Sequence, residues 1–398
     1  MSDLNKTNQI IESGNPYIMS TYGRFPIVLE RGEGVYLYDV DGKKYLDMYA
    51  GIAVNALGYG HKALSEALKN QIDKMIHVSN YYYTENLIEA SKLLVENSPF
   101  DKLFFCNSGA EANEGALKLA KKYGKQKSEN KNKIIAMEKS FHGRTQGSLA
   151  VTGQEKYQKS FLPLIPNVSY AVYNDISSLE KLINDDTCAV ILEVIQGEGG
   201  IIVGDETYLK QVRQLCDKHD ALLIVDEVQT GIGRTGTLFA FEGVGIEPDV
   251  VTMAKGLGGG VPIGAMAVRG KADVLVPGDH ASTFGGNPLV TAAARVVLTE
   301  LTQNGLLNNV VEVGNYLYAE LTKLKEEFSC IKEIRGKGLM LGMELTVPAI
   351  DIEKECIKEG MLIVGAGEKV LRFVPPLVIE NKHVDEAVKM LRKILSNI

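Results

Sequence analysis

The stretch ALLIVDEVQTGIGRTG, residues 221–236, decides the architecture. Its opening run is apolar with no polar alternate, so a strand here has both faces covered, and such strands belong to mainly parallel sheets. The run ends on Asp226 and Glu227 and passes into a Gly-rich segment. Ligands of open α/β sheets bind beyond the carboxyl ends of strands, which makes an acid here a functional candidate; a helix cap is the ordinary alternative.

The same kind of run recurs on both sides, at LFFC (103–106), IIAM (134–137), AVILEVI (189–195), VVTMA (250–254) and GAMAV (264–268), separated by helical or Gly-rich stretches. That alternation predicts an α/β fold with a mainly parallel central sheet covered by helices. Upstream, residues 35–40 and 43–49 flank Asp41-Gly42, the signature of a β-hairpin with a type I′ turn. Leu64, Leu68, Ile72, Met75 and Ile76 predict a helix over 61–77. Beyond residue 290 helical spacing dominates (Val310, Leu317, Leu321, Leu324, Phe328, then Val384, Val388, Leu391, Leu395), with strands near 339–345 and 371–374. The expected organisation is a large domain over 56–290 and a smaller α+β domain over 291–398, joined by the N-terminal segment and hairpin of 1–55.

With 398 residues, 45% hydrophobic and 23% charged, the chain is neither disordered nor collagen-like. The net charge of −7, with both signs interspersed, offers no basic field for nucleic acid. No apolar run approaches the roughly 20 residues that span a bilayer, and the opening MSDLNKTNQIIESGNP has no signal-peptide core. Cys106, Cys188, Cys216, Cys330 and Cys356 form no C-x-x-C pair, which fits a reducing cytoplasm. The six histidines show no metal-binding spacing, so no metal is expected.

Three constellations carry chemistry. In FFCNSGAEANEGALKLAKKYG (104–124) a strand ends at Cys106 and a helix starts near Ala110. Ser108, Gly109 and Ala110 thus stand at a helix N-terminus, where free N–H groups suit a phosphate; a plain capped turn is the alternative. The second is Asp226. A nucleotide hydrolase would also place acids at a strand end, but it needs G-x-x-x-x-G-K-[ST], and neither Gly42-Lys43 nor Gly336-Lys337 fits. The third is DVVTMAKGLGGGVPIGA (249–265), where an apolar strand runs into Lys255. Burial there lowers an amine's pKa and makes it nucleophilic, unless the side chain snorkels to water. Val261 stands where G-x-G-x-x-G requires glycine, so a dinucleotide fingerprint is rejected. A phosphate cradle, a strand-end Asp and a strand-end Lys are together the fixing points of pyridoxal 5′-phosphate: Asp226 for the ring nitrogen and Lys255 for the aldehyde. Phe141, in SFHGRT, is placed to stack on the ring.

Along nearly its whole length the chain resembles the class III, ornithine-type aminotransferases of fold-type I, through FCNSGAEANEGALKLA, FHGRT, QGEGG, DEVQTGIGRTG, AKGLGGGVPIGA, STFGGNP, RGKGLMLGMEL and LRFVPP. The resemblance implies cofactor contacts from Ser108, Gly109, Ala110, Phe141, Asp226, Glu227, Val228, Gln229 and Lys255. It further implies a homodimer in which Thr283 reaches the neighbouring subunit's phosphate. Arg144 and Arg372 are implied carboxylate clamps, Ser282 a substrate contact, and Glu198 the group that neutralises Arg372 when a substrate has no carboxylate there. Two clamps suit an enzyme that accepts an ω-amine in one half-reaction and glutamate in the other. The implied reaction moves the δ-amino group of N2-acetylornithine to 2-oxoglutarate, giving N-acetyl-glutamate 5-semialdehyde and glutamate, as in arginine biosynthesis.

Two departures stand out. Glu193-Val194 replaces the family's common Glu-Pro, with the polar groups kept. Ornithine-specific relatives carry a tyrosine near Gly51-Ile52, and its absence favours an Nα-acylated substrate. N-succinyl-diaminopimelate, succinylornithine or another ω-amine is the alternative substrate. A mutase or racemase would need no second clamp, and a non-catalytic binding protein would not need Asp226 and Lys255. His142 is a candidate pocket residue, and Tyr81, Tyr82 and Tyr83 are candidate dimer contacts.

Overall fold

The computed structural model describes residues 6–398; the polar opening discussed above begins in residues 1–5, outside the described residues. Seven strands build the central sheet: β1 (Lys102–Cys106), β2 (Lys133–Met137), β3 (Val168–Ala171), β4 (Thr187–Leu192), β5 (Leu222–Asp226), β6 (Val250–Met253) and β7 (Gly264–Val268). Their order is β1-β7-β6-β5-β4-β2-β3. All neighbours pair in parallel except β7, which runs antiparallel to both β6 and β1.

Alternate residues feed two apolar layers, as the strand's two-residue period demands. Ile134, Ala136, Ile191, Leu222 and Ile224 pack with Ala116, Leu117 and Ala120 of the helix Gly109–Lys127. Ile135, Met137, Val190, Leu223 and Val225 face the other way, with Leu209 and Val212 of the helix Glu206–Lys218. Two-sided cover explains why these runs lack polar alternates. One strand, β3, escapes the sequence pattern because it is a short edge with a half-exposed VSYA.

Two other local expectations change. The run at 189–195 breaks after Leu192, and Ile195–Gln196 pairs instead with Ile202–Val203. The N-terminal hairpin forms between Tyr36–Asp39 and Lys44–Asp47, but only Gly42 of the Asp41-Gly42 pair has positive φ (+86°). A type I′ turn needs positive φ at both positions. Asp39 Oδ1 instead accepts from the Asp41 and Lys43 N–H groups and shapes a longer turn. The hairpin's second strand pairs in parallel with Met361–Leu362, so the strands within residues 29–47 share a sheet with the C-terminal part of the chain. A four-stranded antiparallel sheet there includes Met340–Leu345 and Val370–Phe373, backed by the helices Leu306–Glu327 and Ala349–Glu359, against which the helix Asn381–Leu395 packs.

Candidate active site

Because β1, β5 and β6 point the same way, their carboxyl ends meet at one edge of the sheet, and β7, running backwards, brings its preceding residues Val261, Pro262 and Ile263 there too. A cavity of about 520 Å³ opens at this edge, lined by Ser108, Gly109, Ala110, Phe141, Arg144, Asp226, Val228, Gln229 and Lys255 among others. Ligand pockets occupy about 300–1,000 Å³.

At the start of the helix Gly109–Lys127, Ser108 Oγ accepts from Glu111 N–H (3.2 Å), and Glu111 returns a carboxylate oxygen to Asn107 N–H (2.7 Å). This reciprocal cap leaves the first N–H groups of the helix without an intrahelical acceptor. Gly109 is required by crowding: a Cβ there would stand 2.7 Å from the Val228 side chain.

Asp226 is 3% exposed. Its Oδ2 accepts from Asn113 Nδ2 (2.8 Å) and lies 2.7 Å from His142 Nδ1, while Oδ1 accepts from Val228 N–H (2.9 Å). Burial opposes charge on His142, but the hydrogen bond and charge of Asp226 prevail and raise its pKa above the ordinary value. A carboxylate held this firmly has its charge aimed before any ligand arrives. Lys255 follows the neighbouring strand, whose Thr252 is in register with Asp226, and has a left-handed φ of +45° on the short turn Lys255–Gly258. Burial lowers its amine pKa despite the opposing pull of Glu198. Non-glycine residues at positive φ are uncommon and concentrate at functional sites.

Arg144 is exposed at the cavity, its guanidinium 3.9 Å from the Tyr157 ring centre and 5.5 Å from that of Phe141. Arg372, 1% exposed, and Glu198 lie behind Gln229: Nη1 donates to Glu198 Oε1 at 2.5 Å and to Gln229 Oε1 at 3.1 Å. Burial alone would raise the Glu198 pKa, but the Arg372 guanidinium beside it holds the carboxyl below the ordinary value. Ser282 Oγ accepts from Asn107 Nδ2 at 3.1 Å. Thr283 is exposed and borders a separate small cavity with Asn80, Tyr82 and Asn287, not the one lined by Lys255.

Glu227, counted above among the cofactor contacts, does not reach the cavity. Consecutive strand residues point to opposite faces, and its carboxylate turns back to accept from Thr230 Oγ1 (2.5 Å) and Phe241 N–H (2.9 Å). Burial pushes its pKa up to about 7. Sequence reasoning also missed Asn113 and the structural part played by Glu193. Asn113 was legible as a lone amide on an otherwise apolar helix face; Glu193, accepting from Phe141 N–H (2.9 Å) and Gly197 N–H (3.0 Å), was hidden inside an apparent strand. Ala50, Gly51, Ile52 and Ala53 all have positive φ, a left-handed turn leading into Val54 at the cavity wall that no residue pattern announces.

These residues fit pyridoxal phosphate. The helix start offers donors to a phosphate, Asp226 a fixed negative charge for a protonated ring nitrogen, and Lys255 an amine of lowered pKa for an aldehyde. The family model described as "Aminotransferase class-III" matches residues 17–395. The chain is 51% identical to an acetylornithine aminotransferase from Caldanaerobacter subterraneus, over 96% of this chain and 98% of that one. It is 48% identical to the acetylornithine aminotransferase of Methanocaldococcus jannaschii, over 98% of each. Among solved structures, an ornithine aminotransferase from Toxoplasma gondii superposes with a TM-score of 0.94 at 32% identity, covering 99% of this chain and 96% of that one. An N-acetylornithine aminotransferase from Stenotrophomonas maltophilia gives 0.84 at 38% identity, covering 97% and 98%.

Proposed function

The chain belongs to the class-III aminotransferases, and from that premise we propose that it transfers the δ-amino group of N2-acetyl-L-ornithine to 2-oxoglutarate with pyridoxal phosphate, serving arginine biosynthesis in the cytoplasm. The observation that carries the reading is the Arg372–Glu198 pair at 2.5 Å beside the cavity that holds Lys255 and Asp226. Such a pair equips one site for two substrates of different charge. The acetylated substrate is supported by the names of the relatives and by the absence of a tyrosine at Gly51-Ile52.

Bound here, pyridoxal phosphate supplies an electron sink for the carbon that carries the transferred amine. Asp226 is the residue that would pair with a protonated ring nitrogen, with Asn113 and His142 fixing the direction of its carboxylate. Lys255 Nζ, its pKa lowered by burial, is the amine that would hold the aldehyde and, once displaced by the substrate, would accept the proton leaving the substrate carbon. Arg144 binds the carboxylate common to both substrates. With the ω-amine, Glu198 neutralises Arg372; with glutamate it swings aside, and the second carboxylate takes its place on the guanidinium. Exposed Tyr81 and Tyr83, 93% and 88% accessible, and Phe284 next to Thr283 support a homodimer that completes the site.

The test is a stopped-flow half-reaction of the cofactor-loaded protein without keto acid. Fast amination of the cofactor by N2-acetylornithine, and slow amination by ornithine, N-succinyl-diaminopimelate and 4-aminobutyrate, is the expected result. Equal rates with the succinylated amine would replace the proposal with a dual-substrate enzyme. No lysine-linked absorbance band under any loading condition would overturn it.

A further inference from the structure

The segment carrying Arg372 leaves its strand through Phe373, Val374 and Pro375, and three hydrogen bonds hold that exit. Val374 N–H donates to the Met48 carbonyl (3.0 Å), Leu377 N–H donates to the Ala56 carbonyl (2.7 Å), and Arg234 Nη1 donates to the Pro375 carbonyl (2.5 Å). The same Nη1 also donates to the Leu339 carbonyl at 3.0 Å. Arg234 is 2% exposed, yet its partners are carbonyls. Its counter-charge, the buried Asp47, acts through space, because Asp47 commits its oxygens to Tyr49 N–H, Ala50 N–H and the Tyr59 hydroxyl. A guanidinium buried without a bonded carboxylate is an expensive way to brace a loop, and its single Nη1 uses both N–H groups to tie the Leu339 and Pro375 carbonyls together.

The loop and the segments it braces are tightly mounted. Gly338, at φ +57°, lies so near that a Cβ would stand 2.6 Å from the Thr235 carbonyl carbon, and Leu339 N–H donates to the Arg234 carbonyl at 3.0 Å. The loop begins at Gln229, which itself accepts from Arg372. A closed ring results: Gln229 through Arg234, across to Pro375, back to Arg372, and across to Gln229.

We propose that Arg234 is a positioning residue for Arg372: by tying Pro375 to the 229–234 loop, it holds the Arg372 guanidinium where the second carboxylate of a dicarboxylate substrate meets it. The proposal deepens the reading of Arg372 above and rests on it. A brace with only a scaffold role would affect all substrates alike. A brace for Arg372 affects the substrate that uses Arg372.

The experiment compares Arg234→Met and Arg234→Lys in the full, cofactor-loaded protein, measuring half-reactions with L-glutamate and with N2-acetylornithine separately. For Arg234→Met the glutamate KM is expected to rise about tenfold, for Arg234→Lys about threefold, while the N2-acetylornithine KM moves by less than about twofold. Equal shifts for the two amines, or failure of both variants to fold, would make Arg234 a general scaffold element and overturn the proposal. Arg372→Lys separates the layers: if it leaves the glutamate KM unchanged, the assignment of Arg372 is wrong and the role of Arg234 falls with it. If it raises that KM and the Arg234 variants do not, only the brace is wrong.

Discussion

Around Asp226 the polar groups are committed to one another, through Asn113, His142 and Val228 N–H, all inside the protein. At the end where the proposed function puts the substrate carboxylates, Arg144 leans on the Tyr157 and Phe141 rings and Arg372 holds Glu198 and Gln229, partners that the proposal requires to be exchangeable. The difference follows from what each end does. Chemistry at the cofactor is the same in both half-reactions and gains from groups that need no rearrangement. Substrate charge differs between the half-reactions, so that end needs a group that can let go.

The largest effect is expected from breaking the committed end. Asp226→Ala removes the fixed charge and should lower turnover by about a thousandfold or more, read as steady-state kcat with the cofactor still bound; near-normal turnover would mean that this end is not the catalytic one. Next comes Arg144→Ala, which should raise KM for both N2-acetylornithine and 2-oxoglutarate by about 10–100-fold, the scale of a lost charge-assisted bidentate contact. A change for only one substrate would place Arg144 with the exchangeable groups of one half-reaction.

Glu198→Gln sharpens the comparison further. With its neutraliser gone, Arg372 should weaken N2-acetylornithine binding by about tenfold, roughly 1.4 kcal/mol, and leave glutamate unaffected or improved. Because Arg372 holds the Glu198 carboxyl below its ordinary value, the pair's stabilisation is complete above the usual glutamate pKa and disappears only as pH falls through the depressed one. The N2-acetylornithine KM should therefore owe no change to Glu198 between pH 8 and 5, as KM measured across that range would show.

The smallest effect concerns the neighbour of Asp226. Burial pushes Glu227 up to about 7, against about 4.3 in an unfolded chain. A raised carboxyl contributes stability that is complete below the unfolded value and lost as pH rises through 7. Cofactor-free Glu227→Gln should thus show a flatter decline of Tm from pH 5 to 8 than the parent protein, by about 2–4 °C, with the remaining decline due in part to Glu193, also raised to about 7. An unchanged slope would remove Glu227 as its source.

Much of this was legible before any coordinates. Apolar runs such as LLIV and VVTM lack alternation because both faces of their strands are covered, and that alone implied a parallel sheet and the edge where a ligand sits. Asp226, Lys255 and the helix start at Ser108 were legible because each follows directly on such a run. Adjacent residues sharing one chemistry could not be sorted: Asp226 and Glu227 are both acids at a strand end, and only the direction of each side chain sends one to the cavity and the other to Thr230 and Phe241. Partnerships far apart in the chain were equally silent. Asn113 with Asp226, Arg234 with Pro375 and the left-handed turn at Ala50–Ala53 depend on how the parallel strands and their crossovers stack, which local periodicity does not encode. The sequence by itself thus determined which strands are buried and which groups stand at their ends; tertiary structure alone decided which of those groups meet, because hydrogen bonds of about 3 Å are set by packing and not by spacing along the chain.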